Sequence, residues 1–366
     1  MRAQLRTRIH LVSAMLVASA ALAAVAATGL AGPAAADEPE APHTREPRGR
    51  FEPRVVPELD ELDRPGARSR HMPVGLPDGS LLLDRGVYRR LPDVPGALQT
   101  THSRNNNHGQ TVGVYVELDA SGAPRVHGFL MRGRHVTTID VPGAVVTNPL
   151  GVNDRGQVVG SWVGPDATPD PVFGQLKPAH GFVWERGHVK TFDVPGAITT
   201  AGYEINNRGW IVGNYDDANR VTHGYVLRDG RFTTIDHPRT PGKPDVPGTR
   251  VVGIDDRGRL VGSYGDENGL LHAWAWGKGR FTDVEPPGAL QSEASQINDR
   301  GQIVGRYLDA RPKLVSFAYE RGRYTRIEAP GRCDTAAFGL NDRGQVVIST
   351  PGTSAGSTCP PPGGDS

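Results

Sequence analysis

The chain has 366 residues, with 41 Lys and Arg against 40 Asp and Glu and only two cysteines. That balance leaves no electrostatic footprint for nucleic acid or anionic lipid. Two cysteines without a CxxC pair give no support to a thiolate zinc site.

Arg2, Arg6 and Arg8 open the chain, an Ala-, Leu- and Val-rich run follows to about Leu30, and Ala34, Ala35 and Ala36 close it before Asp37. A basic head, an apolar middle and a small-residue break predict a secretory signal peptide over residues 1–36. A membrane anchor is the other reading, but the Ala-rich run with its cleavable end favours export. No second apolar span follows, so a secreted protein without a membrane span in its mature form is expected. Loss of the three leader arginines leaves 38 basic against 40 acidic side chains, a formal charge of −2. Residues 37–70 are rich in Pro and in both charges and read as a disordered linker. Residues 71–350 hold the repeats, and 351–366 form a low-complexity tail. Cys333 and Cys359 are an even pair in an exported chain, which points to one disulfide; two free thiols are the alternative.

One nine-residue stretch returns through the repeat region. It is NNNHGQTVG from Asn105, VNDRGQVVG from Val152, INNRGWIVG from Ile205, IDDRGRLVG from Ile254, INDRGQIVG from Ile297 and LNDRGQVVI from Leu340. A second segment recurs behind it, as HGFVWERGHVKTFDVPGA from His180. A period of roughly 43 to 53 residues with short apolar runs predicts a solenoid, an array or a propeller. Each unit holds four apolar stretches separated by Gly- and Asn-rich turns, which read as four strands. The N-D-R-G segment is turn chemistry: Asn and Asp tolerate left-handed backbone and Gly adopts it freely. On the third strand His180, Phe182 and Trp184 share one face, and Gly181 lies on the other. Large against small is a pattern that lets sheets stack on copies of themselves.

The ends set the count. SLLLDRGVYRRLPDVPGA from Ser80 matches the third and fourth strands, and AAFGLNDRGQVVIST from Ala336 matches the first and second. Five whole units and two complementary halves predict an all-β, six-bladed β-propeller of four-stranded blades, with one blade shared between the N- and C-terminal segments. A linear stack with two frayed ends is the competing reading, and it would need caps that the sequence does not show.

The succession I-N-D-R-G-x-I-V-G, H-G-F and F-T-T-I-D-x-P-G-A resembles the HAF repeat of bacterial extracellular proteins, over residues 76 to about 350. The resemblance implies an exported, propeller-like protein and brings no catalytic residues.

His127, His180, His223 and His272 stand at equivalent places, and thirteen residues later come Asp140, Asp193, Asp236 and Glu285. A ring of His could bind a metal. A His held by a carboxylate of its own blade is the favoured reading, since buried polar groups need such partners. YDDANR, YGDENG and YLDARP, from Tyr215, Tyr264 and Tyr307, could hold a hard cation but read better as polar turns. Tyr115, Trp162, Tyr215, Tyr264 and Tyr307 also repeat, and burial between blades is favoured over stacking on a ligand. No catalytic motif, metal site or cofactor fingerprint appears. The irregular stretches GPDATPDPVFGQLKPAH before Gly181 and PRTPGKPDVPGT from Pro238 mark the place to look for binding. The expected function is a monomeric, non-catalytic secreted module for a glycan or protein ligand. An extracellular hydrolase or lyase on polysaccharide or peptide is the alternative, and a cell-surface structural protein a third.

Overall fold

The computed structural model describes residues 79–350 except 121, 123, 170–175, 245, 311–312 and 330–334. The signal peptide, the linker, the tail and the expected Cys333–Cys359 bond lie outside the described residues. Those residues are all-β, with no helix among them.

Six four-stranded antiparallel units follow one another. Unit one joins the chain's two ends: Gly79–Asp84 and Val87–Arg90 pair with Val346–Thr350 and Ala336–Leu340, through Leu81 opposite Ile348 and its neighbours. Units two and three take their strands from Gln99–Ile139 and Val146–Phe192, and a single parallel contact, Val126 to Val146, links them. Units four, five and six run over Thr199–Ile235, Thr249–Asp283 and Gln291–Ile327. The expected half units thus pair with each other. In unit three a short hairpin, Thr168–Pro169 with Leu176–Lys177, projects between the second and third strands.

Each first strand carries a register shift, for example between Val251 and Gly253 and between Ala294 and Gln296. The bulge pushes a strand-one carbonyl against the glycine of the V-G pair. A Cβ on Gly262 would overlap the Arg250 carbonyl, and one on Gly305 the Glu293 carbonyl. This close approach accounts for Gly in five units, while unit one seats Ile348 at the same place beside its own register shift.

The apolar clusters straddle neighbouring units, so no unit closes a core alone. Val158 and Phe182 of unit three pack with Leu130 and Ile139 of unit two. Val251 and Trp274 of unit five pack with Val212 and Val226 of unit four. Val304 and Ile327 of unit six pack with Leu81, Tyr88, Ala337 and Ile348 of unit one. The small face of strand three meets the next unit as the sequence pattern suggests: a Cβ on Gly128 would come within 2.6 Å of Pro149.

The N-D-R-G turns do more than reverse the chain. Asn106 Oδ1 accepts the backbone N–H groups of His108 and Gln110, while its Nδ2 donates to the Asn153 carbonyl of the next unit at 2.9 Å. Asn153 donates to Asn206 O, Asn206 to Asp255 O, Asn298 to Asn341 O, and Asn341 back to Asn106 O. Asp255 cannot donate, and there Arg259 substitutes: its Nε binds Asp255 and its Nη2 donates to the Asn298 and Asp299 carbonyls. A second circuit uses the next residue. The N–H of Asn107 reaches Asp154 Oδ1, then Asp154 to Asn207, Asn207 to Asp256, Asp256 to Asp299, Asp299 to Asp342, and Asp342 to Asn107. Both circuits return to their starting unit.

At the junction of units one and two, buried His102 donates from Nε2 to Pro92 O and accepts from the Thr111 hydroxyl at Nδ1. Burial holds its pKa down to about 4, against the weaker pull of the Pro92 carbonyl and Asp93. The fold accepts the neutral ring, while the unfolded chain protonates near pH 6.5. The unfolded state thus binds more protons between those values, and stability falls as pH drops from about 6.5 toward 4. His102→Gln should flatten that slope, by about 2–3 kcal/mol over the window, in urea titrations at successive pH values. An unchanged slope would show that this imidazole does not couple to folding.

Candidate functional site

The residue just after the register shift of each first strand alternates in chain order: Arg104, Gly151, Glu204, Gly253, Gln296 and Gly339. The glycines leave room for three long polar side chains. A Cβ on Gly151 would meet Glu204 at 2.8 Å, and one on Gly253 would meet Gln296 at 2.9 Å. Arg104 Nε donates to Glu204 Oε2 at 3.2 Å, and Gln296 Nε2 donates to the same oxygen at 2.6 Å. The remaining guanidinium nitrogens reach backbone carbonyls of Phe338, Val252 and Ser295. One side chain from unit two thus touches units one, four, five and six. Burial pushes Glu204 up to about 7, opposed by the Arg104 charge and by hydrogen bonds from Ile205 N–H and Gln296. Gln296 Oε1 has no partner, but the three side chains fill the centre and bond one another, so the arrangement is a plug rather than an open site.

The larger cavity, about 110 Å³, lies elsewhere, among units three, four and five at the end of the second strands. It sits beside the irregular segment that the sequence marks before His180. Leu176, Lys177 and Ala179 of that segment form one wall. They are held by Lys177 Nζ to Asp216 Oδ2 at 2.5 Å and by the Thr200 N–H to the Ala179 carbonyl at 2.8 Å. The Thr222 hydroxyl donates to the other Asp216 oxygen at 2.7 Å. Pro247, from the second irregular stretch, closes another wall.

Asn148 Oδ1 and Trp162 Nε1, both buried and without a partner, belong to residues of this lining. Asn148 stands opposite Ser161 and Trp162 opposite Thr147, so the two side chains leave opposite faces of unit three, Trp162 toward the apolar cluster shared with unit two. Tyr203 and Arg250 complete the polar wall. Burial raises the Tyr203 phenol pKa, against the Arg250 charge and a hydrogen bond with Asn214, so the hydroxyl is neutral. The surface can offer the Asn148 amide, a neutral phenol donor, a cation and the aromatic ring of Tyr215. Of the repeated aromatics, Tyr115, Tyr264 and Tyr307 are buried; the two that remain half-buried, Trp162 and Tyr215, are those lining the cavity.

Each repeated His lies beside the acid of its own unit. His127 Nδ1 is 2.9 Å from Asp140, His180 is 3.0 Å from Asp193, His223 is 2.9 Å from Asp236 and His272 is 2.5 Å from Glu285. Each ring also packs on the aromatic of the second strand, with centroids 5.1 Å apart for Tyr215 and His223. The pairs are not buried as the sequence reading supposes: the His180 and Asp193 side chains are 33% and 49% exposed. The loop acids form Asx turns, with Asp217 Oδ1 accepting the Asn219 and Val221 N–H groups. Among the described residues no group of three His, Cys, Asp or Glu side chains is placed to hold a metal ion. His180→Ala should lower stability by no more than about 1 kcal/mol, the range of a solvent-screened pair. The loss should add to that of His223→Ala in urea denaturation, since the two stand in different units. A loss above about 3 kcal/mol at either would mean a buried partner is stranded there.

No protein family matches the chain, and no curated protein does. Similar solved structures exist at low identity. AofleA from Arthrobotrys oligospora is 14% identical with a TM-score of 0.42, over 68% of this chain and 77% of that one. The Aleuria aurantia lectin, described as a fungal lectin of six-bladed beta-propeller fold with fucose recognition, is 11% identical with a TM-score of 0.39, over 63% and 76%. TolB from Acinetobacter baumannii is 10% identical with a TM-score of 0.45, over 66% and 64%. At these values nothing of their functions transfers to this chain. Among the described residues no helix is long and apolar enough to cross a membrane.

Proposed function

We propose that this chain is an exported six-bladed β-propeller of the HAF-repeat kind, latched through unit one, that binds a glycan in the cavity beside the unit-three hairpin and does no chemistry there. The observation that carries the binding role is the cavity itself, walled by both departures from the repeat through Lys177 and Pro247, with Asn148, Tyr203, Arg250 and Tyr215 on its lining. Sugar hydroxyls can pair with such amide, phenol and guanidinium groups, and the Tyr215 ring suits the C–H face of a sugar. A volume of about 110 Å³ holds about three or four waters, or one edge of a sugar ring. The ligand therefore enters by an edge. The nearest carboxylate, Asp216, is occupied by Lys177 and Thr222, which leaves it poorly placed as a general base.

The test is a glycan array with the exported protein, followed by calorimetry of the best sugar. Tyr215→Ala removes the ring; Asn148→Leu removes the amide. Each should weaken binding by about tenfold, as expected for losing one contact of about 1.4 kcal/mol in a desolvated site. An empty array, or two well-folded variants that bind as tightly as the parent, would overturn the assignment.

A further inference from the structure

In an antiparallel meander successive turns alternate between the two ends of the sheet. The first and third turns of every unit therefore lie at one end, and the hydrogen-bond circuits bring the first turns of all six units together there. That end is basic. Around the circuits stand His108, Arg155, Arg208, Arg257, Arg300 and Arg343, all exposed. None of the five arginines forms an ion pair with a described carboxylate. The aspartates inside them, Asp154, Asp256, Asp299 and Asp342, are half-buried and already accept neighbouring backbone N–H groups.

The third turns add to the charge against local preference. Arg85, Arg186, Lys278 and Arg321 take positive φ, between 49° and 53°, where Asn, Asp or Gly would sit with less strain. Basic side chains kept at a conformational cost, in four separate turns at one end, indicate that their charge is used. The acids gather at the other end, with Asp140, Asp193, Asp236 and Glu285 closing the fourth strands. A near-zero total thus conceals two oppositely charged ends.

Trp210 decides the kind of partner. It stands where most units have Gln, half-exposed, with the guanidinium of Arg228 4.3 Å and that of Arg208 5.3 Å from its ring. An aromatic ring flanked by cations suits a sugar bearing a carboxylate better than a featureless anion. We propose that the arginine-bearing end is a docking surface for an anionic polysaccharide, with uronate carboxylates on the arginine ring and a pyranose face on Trp210. The surface lies at the opposite end from the cavity and does not depend on it.

The test is retention of the full exported chain on immobilised polygalacturonate, with uncharged dextran and a short DNA duplex as comparison matrices. Retention on polygalacturonate and none on dextran is expected, weakening steeply as salt shortens the screening length below about 10 Å. The triple variant R155Q/R300Q/R343Q should lose about tenfold or more in affinity, and Trp210→Ala should weaken polygalacturonate more than DNA. K243Q/R125Q, at the acidic end, and N148L/Y215A, in the cavity, should bind as the parent does, which separates this surface from the cavity reading. No retention at low salt, a folded triple variant that binds unchanged, or DNA held as tightly as polygalacturonate with no effect of Trp210→Ala would each overturn the proposal.

Discussion

A chain cut after residue 335 is expected to lose cooperative folding altogether. The cut removes Ala336–Leu340 and Val346–Thr350, and with them Leu340, Val346, Val347 and Ile348, all buried. At about 1.5–3 kcal/mol for each large apolar side chain, the loss is of order 6–12 kcal/mol, the whole stability of an ordinary domain. It also strips Leu81, Tyr88, Val304 and Ile327 of their cover and leaves Gly79–Asp84 as an unpaired edge. Both hydrogen-bond circuits open at Asn341 and Asp342. The truncated chain should bind a hydrophobic dye and show no sharp thermal transition, and co-expression of the 336–366 segment should restore one. Asn341→Ala keeps the strands and should therefore cost only about 1–3 kcal/mol, the range for stranded buried polar groups. A truncated chain that melts like the full one would mean that unit one is an appendage and that the other five units are self-sufficient.

Much of this was legible in the sequence, and the reasons differ by element. Strands with period-two faces are local, and so is turn chemistry, so the four strands of each unit and the pairing of the two half units could be read directly. What Asn106 does with its Nδ2 could not, because its acceptor stands 47 residues away in the next unit. One trace of it exists: where Asn becomes Asp255, the Gln four residues on becomes Arg259, a paired exchange that restores the missing donor. The His–acid pairs were visible as a spacing, but spacing carries no depth, and the pairs lie half-exposed. Charge shows the same limit. Counting Lys, Arg, Asp and Glu averages over both ends of the molecule, whereas the parity of the turns separates them. The cavity followed from irregularity: both departures from the repeat contribute to its wall, through Lys177 and Pro247.

The largest effect expected of a single substitution is at Arg104. Its signal was present in the alternation Arg, Gly, Glu, Gly, Gln, Gly, which appears only when the six copies are aligned on their first strands. Arg104→Met removes a charge buried beside Glu204, both side chains being under a tenth exposed, and leaves the Phe338, Val252 and Ser295 carbonyls without that donor. Breaking one side of a buried pair destabilises by about 3–5 kcal/mol, because the other charge remains without compensation. The pH dependence identifies the cause. In the parent, burial pushes Glu204 up to about 7, above its value in the unfolded chain. Without the Arg104 charge it must rise further. Below about 7 both folded forms hold the Glu204 proton, so the deficit of Arg104→Met relative to the parent should be level there and grow with pH above about 7, where the parent's carboxyl ionises and the variant's does not. It should be smaller at pH 5 than at pH 8, and taking the difference from the parent cancels the opposing His102 slope. Adding Glu204→Gln should recover much of the deficit at pH 8 and little at pH 5, a coupling that urea denaturation of the four-member cycle measures directly. Strictly additive losses, equal at both pH values, would show that Arg104 acts through its carbonyl contacts alone and that the central pair is not what holds the six units to one axis.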